Sequence, residues 1–106
     1  MSNVTKMVDG RIATGADVRV SLGQKNIYNK TFQSTGFTTA GAGAATIAIE
    51  GSNDGINWVS LGNVNLTLGT AVTTQSLTYT FPWGYYRANV SALSGTGANV
   101  SVYAAF

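Results

Sequence analysis

The sequence predicts an all-β protein: a two-sheet antiparallel β-sandwich, jelly-roll-like, of about eight short strands. Three observations predict it. Apolar residues recur with period two and hardly at all with period 3.6. Turn signals built from Gly, Asn, Asp and Ser separate the alternating runs. The chain has 106 residues, 44% of them hydrophobic, which suits one domain around one core.

Residues 1–16 carry Gly10 and Gly15 and only weak periodicity, so they read as an N-terminal arm that orders against a neighbour. Residues 17–106 read as the sandwich domain. Its first strands are expected near 17–22 and 27–35. Residues 36–45 are almost all Gly, Ala and Thr and read as a flexible loop, with Phe37 an odd residue to leave in water. Next, Ile47 and Ile49 face one way, and Thr46, Ala48 and Glu50 the other. A strand is expected near 56–62, followed by Val64, Leu66 and Leu68 alternating with Asn65 and Thr67. Leu77, Tyr79 and Phe81 alternate in the same manner, and Pro82 belongs at a strand end because proline donates no ladder hydrogen bond. Tyr86, Ala88, Val90 and Ala92 form one face of a strand near 85–93. Val100, Val102, Ala104 and Phe106 form one face of the last, and Ser94-Gly95-Thr96-Gly97 reads as the turn between them. Periodicity leaves strand order open between jelly-roll and immunoglobulin-like arrangements. The lack of cysteine forbids the immunoglobulin-type disulfide and tilts the choice towards the jelly roll.

Only 9% of residues are charged, against about 25% in an average soluble domain, so the surface must be built from Thr, Ser, Asn, Gln and Gly. There is no His and no Cys, and the carboxylates are Asp9, Asp17, Glu50 and Asp54 alone. Ser-His-Asp and Cys-His catalysis, zinc on Cys or His, haem and iron–sulfur clusters are thereby excluded. The expectation is a protein that is not an enzyme and holds no cofactor or metal. The net charge of +2 is no nucleic-acid signature, which needs clustered Lys and Arg. The bases do concentrate early, however: the first thirty residues carry a net +3 from Lys6, Arg11, Arg19, Lys25 and Lys30 against Asp9 and Asp17. Arg87 is the remaining base, and 55–86 and 88–106 have no charged side chain. No continuous apolar leader core opens the sequence and no run of about 18 apolar residues crosses a bilayer. A chain made in the cytosol that stays there or leaves within an assembly, with no membrane partner, is expected. Edge strands without charge invite pairing with other chains, which burial in an assembly would prevent.

The densest motif is Glu50-Gly51-Ser52-Asn53-Asp54-Gly55-Ile56-Asn57-Trp58. Asn53, Asp54 and Gly55 suit a turn from one strand into the next, and Trp58 is expected to cap the core. Two carboxylates are too few for a calcium site on Glu50, Asn53 and Asp54, and the same pair shows no sequence-level cleft for glycoside hydrolysis. Asp54, Gly55 and Trp58 are therefore read as structural. Phe81, Trp83, Tyr85 and Tyr86 make an aromatic cluster that fits a core or an interface more often than it stacks on a sugar or a base. Tyr85 and Arg87 share a strand face and are of the types enriched at protein–protein hot spots.

Taken together, Thr46-Ile47-Ala48-Ile49-Glu50-Gly51-Ser52-Asn53-Asp54-Gly55, Asn57-Trp58, Leu61-Gly62, Tyr85-Tyr86-Arg87-Ala88-Asn89-Val90-Ser91 and Gly95-Thr96-Gly97 with Asn99-Val100-Ser101-Val102 carry a resemblance. Over about residues 44–106 the chain resembles the small capsid cement, or decoration, proteins of tailed bacteriophages; the first forty residues match no such pattern. The resemblance implies a jelly roll that binds between subunits of the major capsid protein on the virion exterior, is made in the host cytoplasm, and stabilises the shell against genome pressure. It also implies assembly as a homo-oligomer, a dimer or trimer at symmetry axes. On this reading Arg19, Lys25 and Lys30 would dock on acidic capsid surface, and Phe37, Trp83, Tyr85 and Arg87 would contribute to subunit contacts. The Gly-Ser-x-Asp-Gly-x-x-Trp core is also similar to discoidin-like sugar-binding jelly rolls. That leaves a carbohydrate-binding module or tail adhesin as the alternative, with Trp83 and the Asp54 loop as its platform.

Overall fold

The computed structural model describes residues 4–16, 30–79 and 83–105. Eight strands occupy them: β1 Val4–Arg11, β2 Gly15–Ala16, β3 Lys30–Phe37, β4 Ala40–Ser52, β5 Val59–Leu68, β6 Thr73–Tyr79, β7 Tyr85–Thr96 and β8 Asn99–Ala105. They form two four-stranded antiparallel sheets, β1-β8-β3-β6 and β2-β7-β4-β5. The pairs β1·β8, β2·β7, β3·β6 and β4·β5 mean that the chain runs out to the β4–β5 turn and then retraces itself. The doubled ribbon rolls up until β3 also meets β8 and β4 meets β7. That rolled hairpin is the jelly-roll order, so the expected two-sheet sandwich is the observed fold.

Alternation along the strands fills the space between the sheets. Phe32, Ile47, Ile49, Tyr86, Val90, Val100, Val102 and Ala104 are wholly enclosed, with Val64, Leu66 and Leu68 of β5 closing one side. Each fully buried Ile or Val of this set stabilises the fold by about 1.5–3 kcal/mol. Leu77, Tyr79 and Trp83 pack half-buried against it.

Four departures from the sequence expectation have physical causes. The first sixteen residues contribute β1 and β2, and Met7 and Val8 lie in the core. Register shifts between Lys6 and Val8 and between Val8 and Arg11 break the alternation that would have marked the strand. Residues 40–45 belong to β4, where small residues serve close approach: a Cβ on Gly43 would stand 2.2 Å from the Ser94 carbonyl oxygen. Ala92 is exposed although Val90 is buried, because a bulge opposite Thr46 and Ile47 makes Ser91 the extra residue and flips the register. The turn after β7 comes later than 94–97. β7 runs to Thr96, and the chain reverses through Gly97 (φ 62°), with the Ala98 amide donating to the Gly95 carbonyl at 3.3 Å. The strand expected near 17–22, the start of that expected near 27–35, and Phe81, Pro82 and Phe106 lie outside the described residues.

Candidate functional site

The best-defined polar cluster sits where β4 ends and β5 and β7 begin. β4 needs a tight reversal after Ser52, and Asp54 supplies it. Its Oδ1 accepts from the Ser52 hydroxyl and from the amides of Ile56 and Asn57, each at 2.8 Å, and its Oδ2 accepts from the Asn57 side-chain amide at 2.9 Å. The Ser52 Oγ in turn accepts from the Gly55 amide at 2.9 Å, and Gly55 takes the positive φ of 74° that the turn requires. Donors converging on the ionised carboxylate hold the Asp54 pKa well below the usual range, the Asn57 and Ile56 amides being the largest causes. Both Asp54 oxygens are thus engaged by the loop itself. Asn53 extends the lattice to the next segment by accepting from the Gly84 amide at 2.8 Å.

Beside this loop, Glu50 on β4 and Arg87 on β7 are register partners on the outer face of their sheet. Arg87 Nε donates to Glu50 Oε1 at 2.5 Å, with the two side chains only 28% and 15% exposed, and the guanidinium carbon lies 4.3 Å from the Trp58 ring centroid. A planar guanidinium held by a carboxylate on its edge and by an indole on its face is fixed in direction as well as position. Tyr85 lies two residues back along the same face of β7, half-buried opposite Ser52. Ile56, at the tip of the Asp54 loop, is 79% exposed, and Val59 is exposed where β5 starts. Together these side chains present a rigid patch with an apolar tip and a mostly satisfied cation.

Behind the patch is a second aromatic group that belongs to the core. The Trp83 amide donates to the Tyr86 hydroxyl at 2.9 Å, and Trp83 Nε1 donates to the Tyr79 hydroxyl at 3.0 Å. The indole lies on Gly51, where a Cβ would come within 2.7 Å of it. Phe32 and Tyr86 tilt against each other with centroids 5.7 Å apart. Burial pushes the Tyr86 hydroxyl up to about 12.

The predicted site residues therefore divide. Tyr85 and Arg87 come together with Trp58, Glu50 and the Asp54 loop. Trp83, expected at an interface, packs half-buried against the core, and Trp58, expected to cap the core, carries Arg87. Lys30, expected to dock on a partner, is fully enclosed: it opens the inward row of β3, opposite Tyr79, with its amine 5.6 Å from the Tyr86 ring centroid, and desolvation lowers its pKa. Phe37 is half-buried at the end of β3, opposite Asn99. Arg19 and Lys25 lie outside the described residues. The Glu50–Arg87 pair was not foreseen, although Glu50 is the sole carboxylate between Asp17 and Asp54 and Arg87 the sole base after Lys30.

No protein-family model matches the chain, nor does any curated protein sequence. Two solved structures share the fold. A carbohydrate-binding module, CBM4, aligns with a TM-score of 0.53 at 12% identity, over 96% of this chain and 73% of the module. The PBSX exported protein XepA, which is phage-associated, aligns with a TM-score of 0.52 at 12% identity, over 99% of this chain. The chain spans only 36% of the length of XepA. At such identity the similarity is one of β-sandwich architecture.

Proposed function

We propose that the protein is a non-enzymatic structural component of a phage particle, a cement or decoration protein that attaches to the outer surface of the capsid shell. The observation that carries this reading is the patch formed by Ile56, Trp58, Tyr85 and Arg87. Trp, Tyr and Arg are the residues that most often dominate binding energy at protein interfaces, and a patch already rigid in the free protein loses little conformational entropy on docking. The surrounding surface supports it, because uncharged hydroxyls and amides make contacts that salt barely screens. Repetition over a symmetric shell would multiply modest single-site affinity, and a dimer or trimer at a symmetry axis would use the same geometry. The resemblance of residues 44–106 to cement proteins points the same way, and the shared fold of a phage-associated protein is compatible with it.

Co-sedimentation with purified virions or emptied shells tests the proposal. The wild-type chain should pellet with shells in stoichiometric amounts. Ile56→Asp, at a side chain the fold does not bury, should lower shell affinity by roughly tenfold or more, and Tyr85→Ala should do the same. A chain that never associates with shells would end the structural role. Full occupancy by both variants would move the contact elsewhere on the molecule.

A further inference from the structure

The outer face of the β1-β8-β3-β6 sheet carries a groove of about 430 Å³. Its centre is a row of register partners that crosses the strands, Tyr103 on β8, Gln33 on β3 and Ser76 on β6. Gln75, Thr31 and Thr74 line it alongside, and Val4 and Ala105 close it at one end. Lys6 faces Tyr103 from β1, with its amine 5.3 Å from the ring centroid and 2.8 Å from the Asp9 carboxylate. Of the side chains on this outer face, the groove combines one aromatic ring braced by a neutralised cation, the Gln33 carboxamide and the hydroxyls of Thr31, Thr74 and Ser76, while Gln75, opposite inward-facing Ser34, borders it on the edge strand. Among the described residues, no lining side chain is charged.

We infer that this groove is a binding site for a neutral oligosaccharide. Each competing class of ligand lacks something it needs. Nucleic acid requires several cations to displace counterions, and Lys6, already paired, is the one cation bordering the groove among the described residues. An extended peptide gains most of its affinity from backbone pairing along a sheet edge, whereas the centre of this groove lies over β3 and β8, whose backbone groups are committed to ladders on both sides, and it meets the edge strands β1 and β6 only at its rims. A lipid or other apolar molecule would leave Gln33 and the hydroxyls desolvated and unpaired. A neutral sugar fits the set: a carboxamide both donates to and accepts from vicinal hydroxyls, hydroxyl side chains do the same, and a ring offers its face to the C–H face of a pyranose. The volume lies within the range of small-molecule sites, at its lower part, which suits two or three sugar units. The site lies apart from the Arg87 patch and does not rest on the shell-binding reading.

The test is an array of neutral gluco-, manno-, galacto- and xylo-oligosaccharides beside uronic-acid and sialylated ones, followed by calorimetric titration of the strongest neutral binder. Selective binding of a neutral glycan is expected. Gln33→Ala and Ser76→Ala, both at exposed positions on this face that should fold, should each weaken it about three- to tenfold. Asn65→Ala on the opposite sheet should leave it unchanged. Backbone amide shifts of β3, β6 and β8 should move on titration. No binding by any neutral glycan, preference for the acidic ones, or binding that survives Gln33→Ala with Ser76→Ala would overturn the assignment, as would protection of this face by a shell protein in place of a sugar.

Discussion

The two ends of the sandwich are built on different principles. At the end where β4 turns into β5, side chains do the holding: Asp54 gathers the loop amides, Asn53 ties it to Gly84, Arg87 lies between Glu50 and Trp58, and the Trp83 indole and amide reach two tyrosine hydroxyls. At the opposite end, where β3 turns into β4 and β7 into β8, it is mainly the absence of side chains that matters. A Cβ on Gly43 would meet the Ser94 carbonyl at 2.2 Å, and one on Gly97 would meet the Thr39 hydroxyl at the same distance. At Gly43 backbone meets backbone and at Gly97 backbone meets a short side chain, the amides of Thr38 and Thr39 donate to the carbonyls of Gly69 and Thr96, and the Thr38 and Thr39 hydroxyls add only local bonds to the Gly41 and Thr96 carbonyls. An end fixed by functional groups has chemistry to offer a partner. An end fixed by close backbone contact offers mainly shape.

That contrast makes the second end the more fragile to substitution. Gly43→Ala forces a methyl against backbone that has no rotamer to move, so it should cost roughly 3 kcal/mol, read as a lowered urea midpoint with unchanged slope. Gly41→Ala is the control two residues away on the same strand. Its φ of 71° strains alanine, but nothing lies within 4 Å of the added Cβ, so the loss should be only about 1 kcal/mol. Equal losses from the two would mean that conformational preference, and not close approach, holds this end.

The same contrast explains what could be read from the sequence. Period-two runs at 46–50, 64–68 and 100–104 sit where expected, since each packs one face on the core and turns the other outward. The Asp54 turn was legible because its residue types have few other uses in that order. The 40–45 segment was not, because a run of Gly and Ala has the same composition whether it is loose or pressed against another strand. β1 was hidden by its bulges, and the inward row Lys30, Phe32, Ser34 and Gly36 by its polar and small members. The Arg87 patch needed residues 37 positions apart to be brought into register, which local pattern does not encode.

The Asp54 loop tests the first end at smaller scale. Asp54→Ala removes the acceptor of two backbone amides, so exchange of the Ile56 and Asn57 amides should accelerate at least tenfold while the exchange of β8 amides is unchanged. The pH dependence has a definite sign. Because the folded carboxyl titrates below the unfolded one, the stabilisation is present above the unfolded value near 4 and is lost as pH falls towards the depressed folded value. Wild type should therefore lose loop order in acid, whereas Asp54→Ala should show no such transition. If the two proteins respond to acid alike, the loop is held by its backbone and resembles the opposite end after all.

The smallest effect is expected midway between the ends. Ser34 lies on the inward row of β3, fully enclosed, and its Oγ makes no hydrogen bond among the described residues. A buried hydroxyl without a partner carries a desolvation cost that folding does not recover. Ser34→Ala removes that cost together with one heavy atom, so the lost packing and the relieved desolvation nearly offset each other. The change in unfolding free energy should fall within about 0.5 kcal/mol of zero, on the stabilising side if either. A loss of 2 kcal/mol or more in urea titration would mean that Oγ is satisfied in solution by a buried water, and that the middle of the sandwich, like its loop end, is held by polar groups.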